Sequence, residues 1–157
     1  MLKIRFIVVE RTKSPFLREG EAFYLERIRR YCSIDWIEVR PMRLKKGVPN
    51  GDILQKEELA ITRRLVPGDY LVALDRSGRQ YDSQGLSDWL KRLSTGPNRW
   101  VCFIIGGPVG LSKGIIDRAD KVLSLSRLTF THEMCRLFLV EQIYRAFTIM
   151  EGHKYHK

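Results

Sequence analysis

The chain closes on GHKYHK, residues 152–157. This tail joins two imidazoles, His153 and His156, to the cations Lys154 and Lys157 and to the ring of Tyr155. Imidazoles titrate near neutrality and a phenol ring stacks on a nucleobase, so the tail is equipped for proton handling and base contact. The two histidines supply half a metal site, and no further ligand cluster accompanies them, so no metal is expected. A second stretch is FIIGGPVGLS, residues 103–112, where an apolar run stops in Gly106, Gly107, Pro108 and Gly110. Glycine leaves no Cβ between the backbone and a ligand, and it also permits tight turns. Neither the dinucleotide nor the P-loop glycine spacing is present. On this motif alone a tight turn is the simpler reading, and a nucleoside read by backbone amides stays open. A third set, Arg136, Glu141, Gln142 and Arg145, interrupts an apolar run from Met134 to Met150. Glu141 and Arg145 are four apart and pair on one helical face, most simply as a structural ion pair across a subunit interface.

The elements that position these groups follow from periodicity. KIRFIVVE (3–10) is apolar and β-branched, hence a strand; it lacks a small-residue cleavage site and is not read as a signal peptide. Residues 16–32 carry apolar side chains at helical spacing, and 34–41 alternates until Pro41. PMRLKKGVPNGD (41–52) is a loop by its Gly, Pro and Asn content, and 52–65 reads as a helix with Asp52 as N-cap. Strands at 69–75 and 99–107 bracket a helix at 83–93. A short helix KGIIDRAD, a short strand KVLSLS and a long helix from Glu133 to about Met150, capped by Thr131, complete the chain. The alternating order implies a single α/β domain over residues 1–157, with a mainly parallel sheet and flanking helices. Ligands bind at the carboxyl ends of strands in such sheets. LDRSG (74–78), IIGGPVG (104–110) and LSLSRLTF (123–130) are therefore expected to meet around one small molecule. The last helix is apolar on every side, which predicts burial between two surfaces, one the sheet and the other a second subunit.

Composition narrows the class. The 157 residues are 44% hydrophobic and 29% charged, which suits a globular domain with a real core, and no apolar run has membrane-spanning length. Cys32, Cys102 and Cys135 are odd in number and sit in apolar contexts, so buried free thiols in a reducing cytoplasm are expected. A net charge of +10 favours a polyanionic partner through phosphate neutralisation. Candidate contacts are Arg11, Lys13, Arg18, Arg43, Lys45 and Lys46.

Four motifs taken together, IIGGPVGL, LSLSRLTFTHEMCR, LVEQIYRAF and the final YHK, carry a resemblance. They resemble the RlmH-type ribosomal RNA methyltransferases, the bacterial 23S rRNA pseudouridine N3-methyltransferases of the SPOUT class. The resemblance covers the whole chain, with Thr131 standing where many relatives have proline. It implies a C-terminal trefoil knot that holds S-adenosyl-L-methionine, a homodimer in which each site is completed by the partner, and a substrate within the assembled ribosome in the cytoplasm. By position it implies cofactor contacts at Leu74, at Gly106, and at Leu125, Ser126, Arg127, Leu128, Thr129 and Phe130. Pseudouridine N3 must lose a proton to attack the methyl. Because an imidazole titrates near neutrality, His132 or His156 is expected to accept or relay that proton, and Tyr155 to stack on or hydrogen-bond the base. Arg136 and Arg145 are expected to stabilise charge on the base carbonyls or to hold the dimer together. The alternatives are a non-catalytic RNA-binding module and a knotted methyltransferase acting on tRNA or on a ribose hydroxyl.

Overall fold

A computed structural model describes residues 1–43, 45–97 and 100–157. The expected loop residue Leu44 and the expected first strand residue Arg99 lie outside the described residues. The element order is β1 (Lys3–Val9), α1 (Pro15–Ile28), β2 (Ser33–Val39), α2 (Asn50–Thr62), β3 (Tyr70–Arg79), α3 (Ser83–Ser94), β4 (Val101–Ile105), α4 (Lys113–Arg118), β5 (Lys121–Leu123) and α5 (His132–Met150). Five strands form one sheet in the order β2-β1-β4-β3-β5, and every strand pair is parallel.

Parallel crossovers place helices on both faces, so central strands read as continuous apolar runs. In β1 every residue from Ile4 to Val9 is buried, and in β4 all of Val101–Ile105 is. One face packs Ile4, Phe6, Val8 and Phe103 beneath α1, α3 and α5. The other packs Ile7, Val9, Ala73 and Ile104 against Ile61 of α2 and Ile115 of α4. Arg5 sits in this apolar setting because its guanidinium is paired twice, with Asp35 at 2.9 Å and with buried Asp69.

Three local differences from the periodicity reading have physical causes. Helix α2 begins two residues earlier than Asp52, with Pro49 as its extended N-cap residue and no side-chain cap. Asp52 instead lies in the first turn, where its charge complements the helix dipole. Strand β3 runs on to Arg79 through an excursion: Leu74 and Arg79 both pair with Leu123, so residues 75–78 bulge out of the ladder. Helix α5 does bury apolar residues in several directions, but α1 and α3 of the same chain supply much of the covering surface. The Thr131 cap is as expected, its hydroxyl accepting from the Met134 N–H at 3.2 Å.

Candidate functional site

The three strand-end loops meet. A cleft of about 1100 Å³ opens at the carboxyl ends of β3, β4 and β5, walled by Leu74, the turn from Gly106 to Gly110, and the segment from Leu125 to the start of α5. The sequence-expected Leu74, Gly106, Leu125, Ser126, Leu128, Thr129, Phe130 and His132 all line it. Arg127 is the exception within its segment: its side chain lines a separate recess beside the cleft, with Arg76, Ser77, Gly78 and Gln80. The cleft is otherwise mostly apolar, with exposed backbone at the glycine turn, which is the composition of small-molecule sites.

The glycine turn owes its composition to its own closure. A Cβ on Gly106 would lie 2.4 Å from the Gly110 carbonyl oxygen, and Gly110 itself has a φ of +81°. Gly110 N–H donates to the Gly107 carbonyl at 3.0 Å, which folds the loop back on itself. The turn is therefore tight for conformational reasons and also forms a wall of the cleft.

Beneath this wall lies Glu57, which sequence reasoning passed over. Ile53, Glu57 and Ile61 are the buried residues of α2, spaced by four, so a carboxylate on the apolar stripe was the available signal. Glu57 is 4% exposed, Oε2 has no hydrogen-bond partner among the described residues, and Oε1 sits 3.0 Å from where a Gly107 Cβ would be. Burial, aided by Glu10, pushes its carboxyl up to about 7. Because the folded value exceeds the ordinary one, the native state holds this proton more tightly than the unfolded chain. Ionisation then costs stability as pH rises from the ordinary carboxylate range through about 7. Glu57→Gln is expected to raise stability by roughly 1–3 kcal/mol at pH 8 and to change it little at pH 5. Urea midpoints at the two pH values check this.

At the mouth of α5, Glu133 ties the helix to the β1–α1 connection. Its Oε1 accepts the Lys13 N–H at 2.5 Å and the Ser14 N–H at 3.1 Å. Burial alone would push this carboxyl up; the two N–H bonds and the nearby His132 and Arg136 bring it below the ordinary value. The connection leads into Phe16 and Leu17, which also line the cleft, as do Asp75, Arg76, Met134 and Cys135. Phe16 and Leu17 follow the end of β1, so extending the strand-end argument to that connection would have reached them. Cys135 is half-buried, not buried like Cys32 and Cys102. Burial, with Arg136 close by, lowers the His132 imidazole below its ordinary value, leaving it neutral at pH 7 and able to accept a proton.

Arg136, expected either to stabilise charge on the base carbonyls or to hold the dimer together, is not among the residues lining the cleft. Its side chain is fully buried. Nη2 donates to the Val9 carbonyl at 2.5 Å and Nη1 to Thr12 Oγ1 at 3.1 Å, and Thr12 in turn donates to Glu21 at 2.7 Å. A guanidinium engaged with the end of β1 and a buried hydroxyl ties α5 to that strand end.

The tail occupies the other end of α5. Tyr155 donates to Glu141 Oε1 at 3.0 Å, and its hydroxyl lies 3.4 Å from that of Tyr24. The expected Glu141–Arg145 pair is present at 2.6 Å, with the guanidinium 4.8 Å from the Tyr155 ring centroid and 3.5 Å from His156 Nδ1. Burial first, and then the bonds to Tyr24 and Glu141, push the Tyr155 phenol above its ordinary value, so it is a donor and not a base at neutral pH. His132 and Arg145 are thirteen residues apart on one helix. At 1.5 Å per residue that is about 20 Å, so the tail is remote from its own chain's cleft. All six basic residues singled out for RNA contact are exposed, and Lys13 is paired with Glu10 at 2.7 Å. Among the described residues no helix is long and apolar enough to cross a membrane.

Comparison with known proteins agrees with the geometry. A family model described as "Predicted SPOUT methyltransferase" matches residues 2–156. A Bacillus pumilus protein named ribosomal RNA large subunit methyltransferase H is 38% identical, over 99% of this chain and 100% of its own. A Desulfotalea psychrophila protein of the same name is 39% identical over the same shares. Among solved structures, a Bordetella pertussis protein described as a probable methyltransferase superposes with a TM-score of 0.58 at 15% identity, covering 92% of this chain and 96% of that one.

Proposed function

The chain belongs to the SPOUT methyltransferase family, and from that membership we propose that it methylates N3 of a pseudouridine in 23S rRNA on the assembled ribosome, in the cytoplasm. The observation that carries the reading is the cleft built by three parallel-strand ends, in a chain that aligns end to end with relatives named as large-subunit rRNA methyltransferases. The cleft suits S-adenosyl-L-methionine: apolar walls from Leu74, Leu125 and Leu128 can enclose an adenine, and the backbone of the glycine turn offers polar groups to its edge. That cofactor supplies a methyl group activated on a sulfonium. The segment from Leu125 to Thr131 is, in this reading, part of the trefoil knot.

The protein's remaining task is to orient the base and remove its N3 proton. His132 at the cleft and His156 on the tail are the proton acceptors we assign. Tyr155, held protonated, donates to or stacks on the base, and Arg145 beside it stabilises charge on the base carbonyls. Cleft and tail are separated by most of α5, so we assign each site to two chains, the cleft of one and the tail of another. Phe16 (68% exposed), Phe23 (47%) and Phe138 (38%) on α1 and α5 offer the apolar surface such a dimer would bury. The resemblance to a dimeric family supports the same arrangement.

Methyl transfer from labelled S-adenosyl-L-methionine to ribosomes lacking the modification tests the reading. The label is expected on a pseudouridine base of 23S rRNA, located by mass spectrometry of nuclease fragments. Label on tRNA or on a ribose overturns the substrate, and no label overturns the activity. Mixing inactive Gly106→Ala and His156→Ala chains is expected to restore turnover that neither has alone; failure to do so overturns the two-chain site.

A further inference from the structure

Beside the cleft lies a second recess of about 560 Å³, lined by Arg76, Ser77, Gly78, Gln80 and Arg127. We propose that this recess is a phosphodiester subsite that seats the RNA backbone next to the target base. The inference rests on the rRNA reading above and adds to it a named anchor.

The recess is open to solvent and lined by two guanidinium groups and no carboxylate. Its nearest acid in sequence, Asp75, is engaged by the loop itself: Asp75 Oδ2 accepts the Ser77 N–H at 2.9 Å and the Ser77 hydroxyl. Neither arginine forms an ion pair among the described residues. Unneutralised arginines that face a common space repel each other mildly and gain most from a shared anion, and the planar guanidinium matches phosphate oxygens bidentately.

The placement is built by the fold. Arg76 sits on the excursion of β3, where residues 75–78 leave the ladder, and Arg127 sits on the segment after β5. Arg76 Nη1 donates to Thr129 Oγ1 at 3.1 Å, which pins the two segments together and holds one guanidinium in position before any ligand arrives. Arg76 lines both recesses, so an anion bound here lies against the wall of the methyl-donor cleft. A phosphate group flanking the methylated nucleotide fits that adjacency. The competing occupant is the carboxylate of the methyl donor itself.

The test uses the full-length protein, purified ribosomes as the RNA probe, and S-adenosyl-L-methionine measured separately. Arg127→Gln is expected to weaken ribosome binding and to lower the slope of log affinity against log salt by about 0.7–0.9, the loss of one phosphate contact. Arg127→Lys keeps the slope, because the charge remains. Cofactor Kd stays unchanged in Arg127→Gln, and an unchanged thermal unfolding curve shows that the variant is folded. An unaltered salt slope overturns the proposal. A weakened cofactor Kd with the ribosome slope intact also overturns it and assigns the recess to the donor's carboxylate. A slope lowered as expected in Arg127→Gln, together with a wild-type protein that transfers no methyl, would fail the catalytic reading and leave the subsite standing.

Discussion

Gly106→Ala is expected to abolish measurable S-adenosyl-L-methionine binding while leaving a folded protein. The added methyl group would sit 2.4 Å from the Gly110 carbonyl oxygen and 2.5 Å from its carbon. Both are backbone atoms, so no side-chain rotation relieves the clash. The turn must open, and opening it breaks the Gly110 N–H bond to Gly107 and displaces the wall at Gly107, Pro108 and Val109. A wall moved by an ångström no longer presents its backbone groups to a bound adenine, and the cost falls on binding more than on the core, since β4 ends at Ile105. Isothermal titration with S-adenosyl-L-methionine checks this, with an expected loss of at least about 100-fold, or roughly 2.7 kcal/mol. Retained affinity would show that the turn tolerates a wider geometry and is no part of the cofactor site.

Arg136→Met is expected to destabilise the protein by roughly 3–5 kcal/mol, as breaking a buried charged network does. The guanidinium is fully buried, bonded to Val9 and to Thr12, and its charge faces Glu21 and Glu133. Removing it leaves Glu21, only 8% exposed, without the cation that offsets its burial. The sign with pH follows. Burial already raises the Glu21 carboxyl above its ordinary value while Thr12 and Arg136 hold it down, so the variant raises it further. Below the raised value Glu21 is protonated and needs no counter-charge. The destabilisation is therefore smaller at pH 5 than at pH 8. Guanidinium denaturation at both values, read as midpoints at constant slope, measures it. Because the same network holds the connection leading to Phe16 and Leu17, cofactor affinity falls as well. A variant of unchanged stability but lost turnover would return Arg136 to a role at the substrate.

Much of the architecture is legible in the sequence. Strand and helix periods alternate cleanly, the strands after the first are bounded by Gly, Pro or Asp, and the order alone implies parallel crossovers with ligand loops at one end. The three loops so identified do form the cleft, because in a parallel sheet every strand points its carboxyl end the same way. The Thr131 cap was readable because a hydroxyl residue directly before an apolar-periodic run has one obvious use. The beginning of α2 was not, because Pro49 and Asn50 are as compatible with a loop as with a first turn.

The harder failures share one cause: side-chain direction in three dimensions. A polar residue within an apolar helix faces core, cleft or partner according to what packs around it, and periodicity does not distinguish these. Arg136 faces the end of β1, Glu57 lies under the glycine turn, and Arg127 turns out of the segment whose neighbours line the cleft. The excursion of β3 shows only in its pairing with β5, a distant element in which Leu123 faces both Leu74 and Arg79. Linear order by itself determined the alternating fold, the basic character, and the loops and tail that carry chemistry, because these follow from residue type and local spacing. Tertiary structure decided that the tail lies at the far end of α5 from its own cleft and that Arg76 and Arg127 share one recess. Distances between groups far apart in the chain are set by helix length and sheet order, and no local pattern encodes them.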